Sequence, residues 1–359
     1  MLPSESINCL VTGATGLVGR HLVEILVASG VSVRALVRPC SDSGHLANRG
    51  AELLVGDLGD RSAVRQAVEG AGIVFHAAGF LTAAAPFAAD DAQGFGAQGL
   101  AAGELAAENR SLQRAGNYDR YRKVNVDFTE ILLDACLAAG CGRFIFVSSS
   151  SVYAPDAPVP TPEEAFLRPV SAYGRSKLLA EAAVRAYQDK GLLATIVRPP
   201  VIYGPGDRYF TPLAFRLARL PVLPLVNGGK SLMDLVYVRD VAGLMWRAAL
   251  HPEAIGRVYN AGSGQPTTLS DLVHTFRRLN DGGPRILSVS PQAVRRTAWL
   301  SRPLLKATMP ELEFALSPQG IEMMNQDHYL SMEKAASELA FQPSYTLEEG
   351  LEETIKNIN

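Results

Sequence analysis

In Ile7-Asn8-Cys9-Leu10-Val11-Thr12-Gly13-Ala14-Thr15-Gly16-Leu17-Val18-Gly19 an apolar run passes through a glycine turn into a helical pattern. Residues 7–11 read as a buried strand. Leu17, Val18, Leu22, Ile25 and Leu26 then recur at helical spacing until Ser29-Gly30 stops them. Gly13, Gly16 and Gly19 stand three apart. Such a turn needs a residue without Cβ at Gly13, close backbone approach of a pyrophosphate near Gly16, and tight helix–strand packing near Gly19. Free amides along Thr15, Gly16, Leu17 and Val18, aided by the helix dipole, would receive the negative charge. An ordinary glycine-rich loop is the competing reading. It is set aside because strand, turn and helix all sit where a dinucleotide site demands them.

Outward from this stretch the chain keeps a β/α rhythm, which predicts a doubly wound parallel α/β sheet. Strands are expected at residues 31–37, 52–55, 73–79, 143–147 and 192–197, and helices at 61–69, 124–139 and 171–190. Residues 1–203 are thus expected to form mainly a dinucleotide-binding domain. Residues 204–359, richer in proline, are expected to form a smaller substrate-binding cap, with about 235–262 returning to the first domain. Helical patterns recur there at 238–250, 268–279 and 347–358. Residues 80–119 are rich in Ala and Gly and long for a connection, and read equally as a surface insertion or a substrate lid.

At the end of the second strand an acid would favour the 2′-hydroxyl of NAD, and an arginine the 2′-phosphate of NADP. The chain has Val33-Arg34-Ala35-Leu36-Val37-Arg38 and no acid before Asp42. Arg38, and less directly Arg34, therefore point to NADP(H), with NAD(H) the alternative. Asp57, beside Leu58, binds adenine or caps a helix.

Tyr173 and Lys177 lie one helical turn apart. An ammonium and a cationic nicotinamide both favour the phenolate, so the Tyr173 pKa is expected to fall from about 10 toward neutrality. Tyr173 would then serve as acid/base toward a carbonyl oxygen. Lys177 would also hold a ribose, and a hydroxyl from Ser148, Ser149, Ser150 or Ser151 would orient the substrate.

These residues, with Gly56-Asp57-Leu58, His76-Ala77-Ala78-Gly79, Asn125-Val126, Arg198-Pro199-Pro200 through Gly204, and Tyr259-Asn260-Ala261-Gly262, resemble an extended short-chain dehydrogenase/reductase. The likeness runs over nearly the whole chain. It implies a catalytic set of Ser149, Tyr173 and Lys177, with Ser150 as the fallback hydroxyl. It also implies Pro199 and Pro200 beside the nicotinamide and Ala77 and Ala78 on the adenosine side. Tyr153 would be structural or pocket-lining. His76 is expected to be packed rather than catalytic, and Asn125 either orders the site or caps a helix. A homodimer through the helices at 124–139 and 171–190 is a further implication.

Within that family the strand-two end resembles that of dihydroflavonol-reductase-like enzymes, and the chain is closest in look to the branch of 3β-hydroxysteroid dehydrogenases and dihydroflavonol reductases. Met233-Asp234 stands where epimerases typically carry Arg-Asp, and losing that arginine removes a clamp on a nucleotide diphosphate. No Asp-Glu pair follows Ser149, as a dehydratase would need. The expected activity is hydride transfer between nicotinamide and a carbonyl or secondary alcohol of a small, largely apolar substrate. The alternatives are a sugar-nucleotide epimerase or dehydratase with bound NAD, gripping the diphosphate through Arg208, Arg216, Arg219 or Lys230, and a catalytically silent dinucleotide sensor or scaffold.

The 359 residues are 47% hydrophobic with a net charge of −2, so no basic excess points to nucleic acid. No signal peptide or membrane span is expected, and the four cysteines suggest reduced thiols in a cytoplasmic protein without a metal site. A basic amphipathic stretch at 294–309 reads as a cap helix, with peripheral membrane contact as the alternative.

Overall fold

The computed structural model describes residues 8–81, 118–280, 282–297, 321 and 324–357. The 80–119 insert and the 294–309 stretch therefore fall largely outside the described residues.

Seven parallel strands form the central sheet: β1 (Asn8–Thr12), β2 (Ser32–Val37), β3 (Glu52–Val55), β4 (Ile73–His76), β5 (Arg143–Val147), β6 (Ala194–Arg198) and, much later in the chain, β11 (Val258–Asn260). Their spatial order is β11-β6-β5-β4-β1-β2-β3. The order reverses between β1 and β4, and a ligand crevice opens beyond the strand ends at such a switch point. The period-2 alternation of apolar side chains builds a core on each face. Cys9, Val11, Ile73, Phe75, Ile145 and Val147 share one apolar layer with α1 (Leu17–Ala28) on one side. Leu10, Val74, Phe144 and Phe146 share the other layer with α3 (Arg61–Val68), α2 being the single turn Gly44–Ala47.

The helix expected at 124–139 starts earlier and is not uniform. It comprises α4 (Tyr118–Arg122), a π-helical turn (Lys123–Asp127) and α5 (Phe128–Ala138). α6 (Ala172–Gln188) begins at Ser171, whose side chain accepts the Gly174 amide.

The later chain is more regular than its prolines suggest. Small strands β7 (Val201–Tyr203), β8 (Val222–Val226), β9 (Leu232–Met233), β10 (Leu235–Tyr237), β12 (Thr267–Thr268) and β13 (Arg285–Val289) pair as β7–β10, β8–β13 and β9–β12. Helix α7 (Phe210–Ala218) carries Pro212 in its first turn, where a missing amide costs little. α8 (Val238–Leu250) shares the apolar layer of α1, so residues 238–260 supply both a helix and the edge strand β11 to the large sheet. Helices α9 (Leu269–Leu279), α10 (Glu333–Leu339) and α11 (Leu347–Lys356) follow later in the chain. All four cysteines carry free thiols, and among the described residues no helix is long and apolar enough to cross a membrane.

Candidate active site

A cleft of about 1330 Å³ opens at the carboxyl ends of the strands. Gly13, Thr15, Gly16, Leu17, Val18, Arg38, Asp57, Leu58, Ala77, Ala78, Ser149, Tyr173, Lys177, Pro199 and Pro200 all border it. Gly19, expected with this set, does not. A Cβ on Gly19 would come 2.2 Å from the Gly13 carbonyl oxygen, so its role is to let α1 pack against the turn.

Gly13 has φ +73°, and a Cβ there would meet the Ala78 amide nitrogen at 2.5 Å. The turn is thus pressed against the exit of β4. Gly16 begins α1, and no side chain caps the helix amides that follow. A glycine cradle and an uncapped helix N-terminus on one cleft wall fit a dinucleotide pyrophosphate.

The two arginines of the second strand separate. Arg34 Nη1 donates to the carbonyls of Ala67 (3.1 Å) and Glu69 (2.8 Å), and its Nε donates to Glu52 (3.3 Å), so it belongs to the end of α3. Arg38 lies beyond the strand end, exposed on the cleft; its carbonyl accepts the Ser41 amide at 3.0 Å, and its side chain makes no hydrogen bond or ion pair among the described residues. Asp57 is not the helix cap. Asp60 accepts the Ser62 and Ala63 amides, whereas Asp57 accepts that of Gly59 at 2.8 Å.

The 3-10 turn Ser150–Val152 brings Ser149 to the cleft, where its hydroxyl accepts the Ser151 amide at 3.2 Å. Ser148 is unavailable, since its hydroxyl donates to buried Glu181 at 2.6 Å. Ser149 donates to the Ser151 hydroxyl at 3.2 Å and its side chain acts to lower the Tyr173 pKa, while the Tyr121 and Tyr173 rings meet edge-on, centroids 6.1 Å apart. The close approach of α6 to the turn after β5 requires Gly174. A Cβ there would meet the Ser151 carbonyl oxygen at 2.3 Å. The sequence signal for Gly174 is a glycine inside a helix, accepted despite a cost of about 1 kcal/mol.

Lys177 Nζ donates to the Val147 carbonyl at 2.7 Å and stands 4.8 Å above the Phe146 ring. Burial lowers its pKa to about 8, with Glu181 opposing. The phenol behaves differently from the expectation. Burial pushes Tyr173 up to about 12, outweighing the opposing effect of Ser149, and the Lys177 ammonium is directed at the Val147 carbonyl instead.

His76 is fully buried as a packing residue, between Thr12 Oγ1 (2.7 Å) and Thr129 Oγ1 (2.8 Å). Thr129 in turn donates to the Asn125 carbonyl at 2.9 Å. Asn125 sits in the π-helical turn. Its Oδ1 accepts the Phe80 amide at 2.6 Å, and its Nδ2 donates to Phe80 O (3.1 Å) and Ser176 Oγ (2.9 Å). It orders the cleft wall rather than capping a helix, and π-turns recur at such sites. Tyr153 borders the cleft with its hydroxyl donated to Asn260 Oδ1 at 2.7 Å. Of the four cations considered for a diphosphate, Arg208 and Arg216 line the cleft, and Arg219 and Lys230 do not. Among the described residues no cluster of three His, Cys, Asp or Glu side chains could hold a metal ion.

The NAD dependent epimerase/dehydratase family model matches residues 100–262, and the NmrA-like family model matches residues 5–89. The chain is 30% identical to 2-alkyl-3-oxoalkanoate reductase of Stenotrophomonas maltophilia, over 95% of this chain and 96% of that one. It is 27% identical to the 4-hydroxy-2-methyl-3-oxo-4-farnesyl-3,4-dihydroquinoline-1-oxide ketoreductase of Stigmatella aurantiaca, over 95% and 94%. Among solved structures it resembles MoeE5 in complex with UDP-glucuronic acid and NAD, with a TM-score of 0.69, 25% identity and 98% of each chain covered. The sheet order, the glycine cradle and these likenesses agree: the chain belongs to the extended short-chain dehydrogenase/reductase family of NAD(P)-dependent oxidoreductases and epimerases.

Proposed function

We propose that the protein is an NADP(H)-dependent reductase of a ketone or aldehyde on a small, largely apolar molecule. The observation that carries this reading is that Ser149, Tyr173 and Lys177, the last two one helical turn apart, line the same cleft as the glycine turn. Gly13, Gly16 and the first amides of α1 would hold the pyrophosphate, Arg38 the 2′-phosphate, Asp57 and Leu58 the adenine side, and Pro199 and Pro200 the nicotinamide side. Bound there, the nicotinamide supplies the hydride.

The protein's own residues manage the oxygen. Ser149 donates a hydrogen bond to the substrate carbonyl and polarises it. Tyr173 passes its hydroxyl proton to the same oxygen as charge develops there. A phenol at about 12 in the protein alone holds that proton firmly, and added positive charge from a bound cofactor favours its release. Lys177 has three donor hydrogens, so beyond Val147 it has donors for a ribose hydroxyl. Phe80, Leu81, Val159, Val170, Phe210 and Leu213 give the substrate side an apolar wall. The two relatives named as reductases support carbonyl reduction.

A second reading, a sugar-nucleotide epimerase or dehydratase with bound NAD, is favoured by Arg208 and Arg216 on the cleft. Following NADPH oxidation against a panel of ketones and aldehydes, including 3-oxo acids, tests the first reading. Turnover that drops by about 10²–10⁴ in Tyr173→Phe with NADPH affinity kept supports it. Turnover unchanged in that variant removes Tyr173 as the acid/base.

A further inference from the structure

Three segments distant in sequence carry the cleft's chemistry: the end of β5 with Ser149, α6 with Tyr173 and Lys177, and the end of β6 with Pro199 and Pro200. One buried guanidinium joins all three. Arg198 is 0% exposed and Glu181 1%. Arg198 Nε donates to Glu181 Oε1 at 2.8 Å and Nη2 donates to Oε2 at 2.6 Å. Nη1 donates to the Tyr153 hydroxyl and to the Glu163 carbonyl, each at 3.0 Å. Glu181 Oε1 also accepts the Ser148 hydroxyl at 2.6 Å.

Each partner is one step from a residue of the proposed reaction. Ser148 precedes Ser149, and Glu181 lies one turn beyond Lys177. Pro199 follows Arg198, and its carbonyl accepts the Ser150 amide at 2.8 Å. Stability alone is a poor reason for such a pair, because desolvating two ions offsets most of their attraction and an apolar pair of similar volume holds a fold as well. A rigid guanidinium fork gives something an apolar pair lacks, a fixed angle between the groups it binds.

We propose that Arg198, Glu181 and Ser148 are positioning residues that hold Ser149 and Lys177 in register across β5, α6 and β6. This rests on the reductase reading for its catalytic consequence, and on geometry alone for its structural one. The groups facing Lys177 are the Val147 carbonyl and Phe146 ring of β5, Glu181 of its own helix, His76 of β4, and Asn125 beside Gly79. Of these, Glu181 favours the ammonium, so its removal lets Lys177 deprotonate at lower pH.

Two variants of the full chain test this. Ser148→Ala deletes one hydrogen bond and leaves the ion pair. Arg198→Met combined with Glu181→Met removes the pair without stranding a buried charge, since Arg185, 3.6 Å from Glu181, is itself exposed to water. NADPH affinity, kcat across pH, and the NMR titration of labelled Lys177 in the cofactor-free protein are measured. NADPH affinity is expected within about threefold of the parent. Both variants are expected to lose about 10- to 100-fold in kcat, as misplacement on the scale of 1 Å does. In the double variant Lys177 is expected to titrate about half a unit or more below the parent, and the fall of kcat at high pH moves down with it. Folded variants with parental kcat and an unmoved Lys177 titration overturn the proposal. If the double variant does not fold, kcat of Ser148→Ala decides. A parent without carbonyl turnover refutes the reductase reading instead, and the Lys177 titration then decides the positioning role.

Discussion

Arg34 and Arg38 show at the residue scale how surroundings divide a structural arginine from one proposed to meet the cofactor. Both follow the same strand pattern, and only their surroundings differ: Arg34 is spent on two carbonyls at the end of α3 and on Glu52, while Arg38 stands on the cleft. Replacing Arg38 with Gln is therefore expected to weaken NADPH binding by about 10- to 100-fold, the worth of one charge-assisted contact, and to leave NADH binding nearly unchanged. Titration calorimetry with both nucleotides checks this; equal weakening of the two would place Arg38 away from the 2′-phosphate. Ser148 and Ser149 divide in the same way. One hydroxyl is held by buried Glu181 and its neighbour lines the cleft.

At the scale of elements, catalytic geometry depends on how closely α6 approaches the turn after β5. Gly174 permits that approach, with the Ser151 carbonyl where a side chain would otherwise stand. Gly174→Ala is expected to push the helix outward at a cost of about 1–3 kcal/mol. Its kcat should fall further than its NADPH affinity, read from steady-state kinetics beside binding. A larger loss of affinity than of kcat would show that the contact serves the cofactor instead. Most of this arrangement was legible in the sequence. Apolar alternation and the glycine turn marked β1 through β6, and α1 and α8 lie where their periodicity put them. The three residues of β11 were too few to show a period, and Pro212 hid α7 although a first-turn proline is tolerated. The π-helical turn could not be read from spacing, because its cause is tertiary: Asn125 turns inward to Phe80 and Ser176. The Arg198–Glu181 pair was equally hidden, its charges lying in segments that read as an ordinary strand end and helix face.

Across the whole molecule, the layer beneath the cleft is wired through buried polar groups, and this makes stability depend on pH. His76 is held neutral between two threonines, and burial lowers its pKa to about 3 from an ordinary 6.5. Folding favours the neutral ring, so its contribution is full above about pH 6.5 and is lost as pH falls from there toward 3. Denaturant midpoints between pH 7 and pH 4 should fall more steeply in the parent than in His76→Gln, and parallel slopes would contradict a buried neutral imidazole. The same buried wiring serves a cleft that fits either an exchanging NADPH or a retained NAD, and these define different enzymes. The most direct test is to release and identify the nucleotide that copurifies with the protein, then measure NADPH and NADH affinities. Exchangeable binding with a clear NADPH preference is the predicted result, and supports a reductase that meets its carbonyl substrate at Tyr173. Tightly retained NAD that does not exchange would contradict it and assign the cleft to sugar-nucleotide chemistry.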